Sequence, residues 1–339
     1  MRILYGVQAT GNGHINRAKV LYRELKRQSI TVDFLFSGNK HIEIPDEFKS
    51  EDVYVKGGLT YTTINGSIDM LDTILKLKPV QFIKDIVNLH INKYDLIISD
   101  YEPITAWASI LRNKDSIGLG NQYIYSVNRN YKTNIILKLI NSIFAPLTKN
   151  IYPLGWNNHN NTVLPPLLNL DNIHFKDTIK NKILVYLPYE HQQSLLDMFK
   201  EFINYDFYIY TNEKELVEYE NTFIFLISNR YKNDMMDCNG IMCNGGFETI
   251  SEALYLGKKI LIKPIFGQIE QENNAKIVVS LSVKNSNMYV EQLTLDNITQ
   301  WLNNNEYTRI DFKKPVVKLV DKIISGNLKL THNDISSMW

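Results

Sequence analysis

The sequence predicts an α/β protein made of two doubly wound domains, each built on a parallel sheet. Three observations carry this reading: the length of 339 residues, the alternation of short Ile/Val/Leu/Tyr-rich runs with longer helical patterns, and the recurrence of that style in both halves. At roughly 150 residues per domain, such a chain is expected to fold as two. With 44% hydrophobic residues, 22% charged and only 10 prolines, the composition is that of a globular chain, not a disordered one. Lys+Arg number 37 against 36 Asp+Glu, a net charge of +1. No overall field therefore draws the chain onto nucleic acid or an anionic membrane, and any such contact must be local.

In the first half, strands are expected at Ile3–Val7, Val32–Ser37, Val53–Lys56, Leu96–Asp100 and Ser116–Gly120. Between the first two lies a helix, Ile15–Gln28, with Ala18, Leu21, Tyr22 and Leu25 on one face. The second half repeats the pattern with Ile183–Pro188, Phe207–Thr211, Phe223–Ser228, Ile241–Asn244 and Ile260–Pro264. Pro153, Gly155, an Asn-rich stretch through Asn161 and Pro165-Pro166 interrupt both periodicities. This puts a first domain at 1–154, a linker at 155–166, a second domain at 167–310, and a last helix and tail at 311–339. The helix carries a stripe of Leu319, Val320, Ile323 and Ile324; Gly326–Trp339 has no functional reading.

Two cysteines, Cys238 and Cys243, cannot staple a fold of this size and read as buried free thiols, which suits a reducing, cytoplasmic compartment. The N-terminus meets Gln8, Asn12 and His14 too early for a signal peptide and reads as strand one. No window approaches the ~18 uninterrupted apolar residues of a transmembrane helix.

Ligands of doubly wound domains bind beyond the carboxyl ends of the strands, so the loops that follow strands are where chemistry is sought. After strand one comes Gly6-Val7-Gln8-Ala9-Thr10-Gly11-Asn12-Gly13-His14. The spacing is not G-x-G-x-x-G, and the second strand ends Phe36-Ser37-Gly38 without an acidic residue, which argues against a dinucleotide site. His14 sits at the positive end of a helix dipole, which favours the neutral imidazole a general base requires. The fourth strand ends Ser99-Asp100-Tyr101-Glu102-Pro103, so Asp100 or Glu102 is placed to orient His14 or to serve as the base itself. Asp100 has a second reading, as the cap of a helix opening at Pro103.

The strongest signal is Cys243-Asn244-Gly245-Gly246-Phe247-Glu248-Thr249-Ile250-Ser251-Glu252. A strand runs into a glycine pair and a helix, so the amides of Gly246, Phe247 and Glu248 can hold phosphate without a metal. Glu252, one turn beyond Glu248, can accept both hydroxyls of a ribose. Phe266-Gly267-Gln268-Ile269-Glu270-Gln271-Glu272-Asn273-Asn274-Ala275 gathers the donors and acceptors that a sugar needs.

These motifs together resemble the GT-B-fold nucleotide-sugar glycosyltransferases, and most nearly the family 28 type and a bacterial and archaeal glycosyltransferase-like branch. The resemblance covers roughly residues 1–325. It implies two Rossmann-like domains facing across a cleft, the first for the acceptor and the second for the donor. It makes the amides after Gly245 and Gly246 a diphosphate cradle and Glu252 the ribose ligand. Gln268, Glu270, Gln271 and Asn274 then lie near the donor sugar, with Thr249 on the donor helix, and Gly11, Asn12, Gly13 and His14 lie on the acceptor side. One departure stands out: where that family carries Gly-Gly-Ser after the first strand of the second domain, this chain has Leu187-Pro188-Tyr189-Glu190-His191. The nucleobase is expected near Ser228–Lys232.

The expected reaction is inverting displacement at the anomeric carbon of a nucleotide diphosphate sugar, UDP-linked by the resemblance, with no metal or other cofactor. The acceptor is a hydroxyl on a glycan, a lipid-linked sugar or another molecule, a modified nucleic acid included. A nucleotide-sugar 2-epimerase and a non-catalytic nucleotide-sugar-binding protein stay open as alternatives. Residues 134–149 read as a helix with Ile135, Ile136, Leu139, Ile140, Ile143, Phe144 and Leu147 on one stripe, flanked by Arg129, Lys132, Lys138 and Lys149. Packing on the sheet is its first reading; peripheral docking on the inner membrane face is the second.

Overall fold

A computed structural model describes residues 1–38, 42–60, 78–127, 142–170, 173–213, 216–226 and 230–339, and the backbone of 62–64 and 67–69. The chain forms two units. The first comprises Met1–Thr60, Asp72–Asn169 and Phe312–Trp339, the second Tyr61–Leu71 and Leu170–Asp311.

The first unit runs β1 (Arg2–Gln8), α1 (Asn12–Arg27), β2 (Thr31–Ser37), β3 (Val53–Val55), α2 (Pro79–Asn88), β4 (Leu96–Asp100), α3 (Pro103–Leu111), β5 (Ser116–Gly120) and β6 (Asn150–Pro153). All six strands are parallel, in the order β3-β2-β1-β4-β5-β6. The central strands β1 and β4 are buried along almost their whole length, which is why they read as unbroken apolar runs, not as alternating ones. Core residues Leu4, Leu35, Ile86, Ile91, Ile97 and Ile104 pack together on one side of this sheet.

The second unit runs β7 (Ile179–Tyr186), α4 (Gln192–Phe199), β8 (Asp206–Thr211), β9 (Thr222–Leu226), α5 (Arg230–Asp237), β10 (Cys238–Cys243), α6 (Phe247–Leu256), β11 (Lys259–Ile262), α7 (Ile269–Ser280), β12 (Asn287–Tyr289) and α8 (Leu295–Leu302). Its sheet has the same plan, β9-β8-β7-β10-β11-β12, again parallel throughout. A short antiparallel hairpin, Thr62–Ile64 with Ser67–Asp69, completes the described strands. In each sheet the winding reverses between the first and fourth strands, and that reversal opens a crevice at the strands' carboxyl ends. The β1/β4 and β7/β10 edges are therefore where each unit can hold a ligand.

The chain then returns to the first unit as α9 (Val316–Ile324) and α10 (His332–Met338). Leu319, Val320 and Ile323 are buried, whereas Ile324 is exposed. The last residues act as a clasp within this unit. Thr331 and Asp334 form a capping box at the start of α10, Asp334 pairs with Lys322 at 2.6 Å, and the Trp339 indole donates to the Val163 carbonyl at 2.7 Å.

Several sequence expectations are corrected. The segment 155–166 is not a linker: Gly155 N–H donates to Leu164 O at 2.9 Å, Trp156, Val163 and Leu164 are buried, and the division falls after Asn169. Helix α1 starts at Asn12, three residues early, which moves Asn12, Gly13 and His14 from a loop into its first turn. Of the helix expected at 134–149, residues 134–141 lie outside the described ones. Residues 142–144 are helical but 145–149 are not, and Lys149 there bonds to Asn113 O and Asp115. The strands β6 and β12 were not anticipated; at four and three residues, each opening on Asn and β6 closing on Pro, neither is long enough for a readable period.

Candidate functional site

At the β1/β4 edge, Val7 lies in register with Asp100. Asp100 is the last residue of β4 and is completely buried. His14 Nδ1 stands 2.7 Å from Asp100 Oδ1, and Arg17, one turn along α1, donates from Nε to Asp100 Oδ2 at 2.7 Å. Arg17 Nη2 also bonds Asp100 Oδ1 and lies 2.8 Å from His14 Nδ1. Tyr5 OH approaches Oδ2 at 3.4 Å. Burial alone would raise the Asp100 carboxyl, but the charge of Arg17 and the bonds from Arg17 and His14 outweigh it and hold the group below the usual carboxylate range. Nδ1 thus faces both an acceptor, Asp100 Oδ1, and a donor, Arg17 Nη2; because Arg17 Nη2 also donates to Asp100 Oδ1, an ionised Asp100 is compatible with the tautomer in which Nδ1–H donates and Nε2 of the partly exposed imidazole accepts.

Glu102 lies only two residues on, yet it faces elsewhere. Tyr101 adopts a left-handed backbone, φ 51°, which breaks the strand's alternation and turns the chain toward α3. Glu102 caps that helix, accepting from Ile104 N at 2.9 Å and Thr105 N at 2.7 Å, and from the hydroxyls of Ser37 and Thr105 at 2.6 Å each. Gly6 makes room for this cluster, since a Cβ there would lie 2.8 Å from Glu102 Oε2. Burial pushes the Glu102 carboxyl above the usual range despite these four donors. The two carboxylates thus differ in partners and in the direction their environments shift them, and the cap is Glu102 where the sequence had suggested Asp100. The Tyr101 ring stacks on His14, centroids 5.9 Å apart.

At the β7/β10 edge, Asn244 follows β10 and leads into Gly245 and Gly246. Gly245 has φ 98°, a conformation that side chains rarely adopt. Gly246 is the N-cap of α6, makes no side-chain cap bond, and opens on a space where a Cβ would meet nothing within 4 Å. The first turn of α6, Phe247, Glu248 and Thr249, thus presents a helix N-terminus at the edge. Glu252 is buried one turn further and is bonded by Lys232 from α5. The β11–α7 connection is tied to this turn: Asn274 Nδ2 donates to Gly245 O at 3.0 Å, Gln271 Oε1 accepts from Ile265 N at 2.9 Å, and Gln268 caps α7 through Gln271 N at 2.9 Å. Glu270 is in the first turn of α7. Of the expected base segment 228–232, residues 228 and 229 lie outside the described residues, and Arg230 opens α5.

Sequence reading missed Arg17 and the pairings of Lys232 with Glu252 and of Glu190 with Lys263, the last described below. Only Arg17 carried a signal, its i,i+3 spacing from His14 on one helix face. Cys238 and Cys243 are buried and free, and burial pushes both thiols up to about 12. Among the described residues no group of three or more His, Cys, Asp or Glu is arranged to hold a metal, and no helix is long and apolar enough to cross a membrane.

Two parallel six-stranded units in tandem, each with polar side chains gathered at its winding reversal, define an α/β protein with the GT-B plan. The chain belongs to the glycosyl transferase family 1, whose model matches residues 1–305, and it is accordingly a glycosyltransferase. The match bears out the GT-B glycosyltransferase resemblance read from the motifs, without singling out the family 28 type. No curated protein matches the chain. Among solved structures, the glycotransferase of kitacinnamycin is similar over 99% of this chain and 95% of its own, with TM-score 0.60 and 13% identity. Arabidopsis thaliana UGT89C1, complexed with UDP-L-rhamnose, is similar over 99% and 97%, with TM-score 0.60 and 12% identity. The glycosyltransferase VinC, in complex with dTDP, covers 100% and 96% at TM-score 0.57 and 12% identity. At such identities the likeness is one of fold.

Proposed function

We propose that this glycosyltransferase moves a sugar from a uridine diphosphate sugar to an acceptor hydroxyl by direct displacement with inversion. The observation that carries the reading is the buried Arg17–Asp100–His14 chain at the β1/β4 edge. Asp100 orients the imidazole, and Nε2 takes the acceptor proton as the oxygen attacks the anomeric carbon. The bond from that carbon to the diphosphate oxygen breaks, and the electron pair leaves with the diphosphate. The amides at the Gly246–Glu248 end of α6 meet that developing charge without a metal. Glu252 takes the ribose hydroxyls once Lys232 yields, and Glu270 and Gln271 face the donor sugar. Asn274 and Gln268 act by holding the glycine turn and the α7 start in place, so they are positioning residues.

Glu102 has no part in proton transfer on this reading; its four bonds commit it to the α3 cap. The uridine donor is supported by the UDP complex of a solved relative and by a helix-borne carboxylate suited to a ribose. A thermal-shift series with UDP, GDP, dTDP, UMP and uridine tests the donor class, since a bound ligand stabilises by RT ln(1 + [L]/Kd). A clear rise with UDP and little with uridine is expected; equal responses to all five would contradict a diphosphate site.

A further inference from the structure

The loop after β7, where related enzymes were expected to carry small donors, instead places a carboxylate at the phosphate edge. Glu190 Oε1 accepts from Lys263 Nζ at 2.7 Å and from Asn244 Nδ2 at 3.2 Å. Asn244 Nδ2 also donates to Lys263 O at 2.9 Å. Lys263 directly follows β11, and its backbone N–H donates to Cys243 O at 3.0 Å. The ammonium-bearing residue therefore sits one strand spacing from the segment that leads, three residues later, into Gly246. Glu190 and Lys263 side chains are only 14% and 11% exposed. The loop backbone is fixed from beneath by Gln192, which donates to Leu187 O and Glu190 O at 2.8 Å each.

A mostly buried carboxylate beside a diphosphate site repels its ligand unless a cation accompanies it, and here one does. Lys263, which follows β11, reaches across the end of β10, the strand that leads into Gly245 and Gly246, to meet Glu190 on the β7 side.

We propose that Lys263 is a diphosphate ligand of the donor site and that Glu190 holds it in reserve, releasing it when a nucleoside diphosphate arrives. The proposal rests on the donor reading above. A diphosphate carries more charge than one carboxylate and offers more acceptor oxygens, so it is the stronger partner for the ammonium. Until a diphosphate arrives, Glu190 cancels the lysine's charge. Uridine, lacking phosphate, gains nothing from Lys263, so the pair makes the site selective for the phosphorylated donor.

The test is titration calorimetry of UDP and uridine on the full chain as wild type, Lys263→Met, Lys263→Arg and Glu190→Gln, with thermal melts of each. Lys263→Met is expected to weaken UDP by about tenfold or more, the scale of a lost charged hydrogen bond, and to leave uridine nearly unchanged. Lys263→Arg restores most of the UDP affinity. Glu190→Gln strengthens UDP severalfold, because the lysine no longer has to leave an anion. That opposite sign separates the proposal from a structural role, in which both neutralising variants lose melting temperature and neither shifts the UDP-to-uridine ratio. An unchanged ratio in Lys263→Met, or weaker UDP binding in Glu190→Gln, overturns the reserve-ligand assignment while leaving the donor reading intact. A wild type that binds no UDP overturns both.

Discussion

Asp100 is completely buried with its Oδ1 2.7 Å from the Nδ1 of His14, and Arg17 holds its other oxygen at 2.7 Å. An aspartate in that position favours the tautomer with Nδ1–H donating, and on the proposed reading the opposite ring nitrogen serves the acceptor hydroxyl. The strength of this arrangement lies in its burial: with little water to compete, a rigid ion pair dictates which nitrogen carries the proton.

Replacing Asp100 by Asn removes the charge but keeps the shape. The account predicts a fall in turnover of about 10²-fold or more, on the scale of general-base loss, with UDP affinity unchanged. It also leaves the buried Arg17 charge uncompensated, at a cost of about 3–5 kcal/mol. Steady-state kinetics and chemical denaturation measure the two effects separately.

The pH dependence of that stability difference has a defined sign. Asp100 titrates below its ordinary value in the fold, and at about 3.9 when unfolded. Its contribution is thus fully present above that unfolded value and is lost as pH falls through the folded one. The stability gap between wild type and Asp100→Asn should be widest near neutrality and close as pH falls below about 4. Denaturation curves at pH 7, 5, 4 and 3 would show it; a gap that widens on acidification contradicts the ionised pair.

Glu102 supplies the contrast. Its carboxyl is raised in the fold, so the stability it carries is present at acid pH and lost as pH rises through the folded value, the reverse of Asp100. Replacement by Ala removes the α3 cap and should cost about 0.5–2 kcal/mol while turnover of the folded enzyme stays within a few-fold. A loss of turnover as deep as that of Asp100→Asn, at unchanged stability, would restore Glu102 to the chemistry.

The two glycines before α6 should separate cleanly. Gly245→Ala forces a side chain onto φ 98° against Gln271 O at 3.2 Å, so it is expected to lower stability by about 1–2 kcal/mol. Gly246→Ala meets nothing and has an ordinary backbone, so its melting temperature should match wild type while UDP affinity falls. Equal UDP affinity in Gly246→Ala would place the diphosphate elsewhere.

Much of this was legible in the chain because the central strands of both sheets are buried on two faces, and Leu96–Asp100 and Ser116–Gly120 stand out as apolar runs. The segments that follow β1 and β10, marked by Gly11 to His14 and by Gly245 and Gly246, advertised both edges. What escaped reading depended on tertiary approach. Arg17 looks like any helix residue until Asp100, 83 positions later, is set beside it. Glu190 and Lys263, 73 apart, meet only because β7, β10 and β11 are neighbours in the sheet. The division of labour between Asp100 and Glu102 hinges on the left-handed turn at Tyr101, a residue type that gives no warning of that conformation.

The most direct test of the account is the rate of UDP release from a UDP-sugar, in the presence of an accepted hydroxyl compound, by wild type and His14→Ala, with the UDP dissociation constant measured for both. The account predicts that His14→Ala loses about 10²-fold or more in turnover and keeps the wild-type affinity for UDP, because the base and the diphosphate site belong to different units. Turnover equal to wild type in His14→Ala would contradict it.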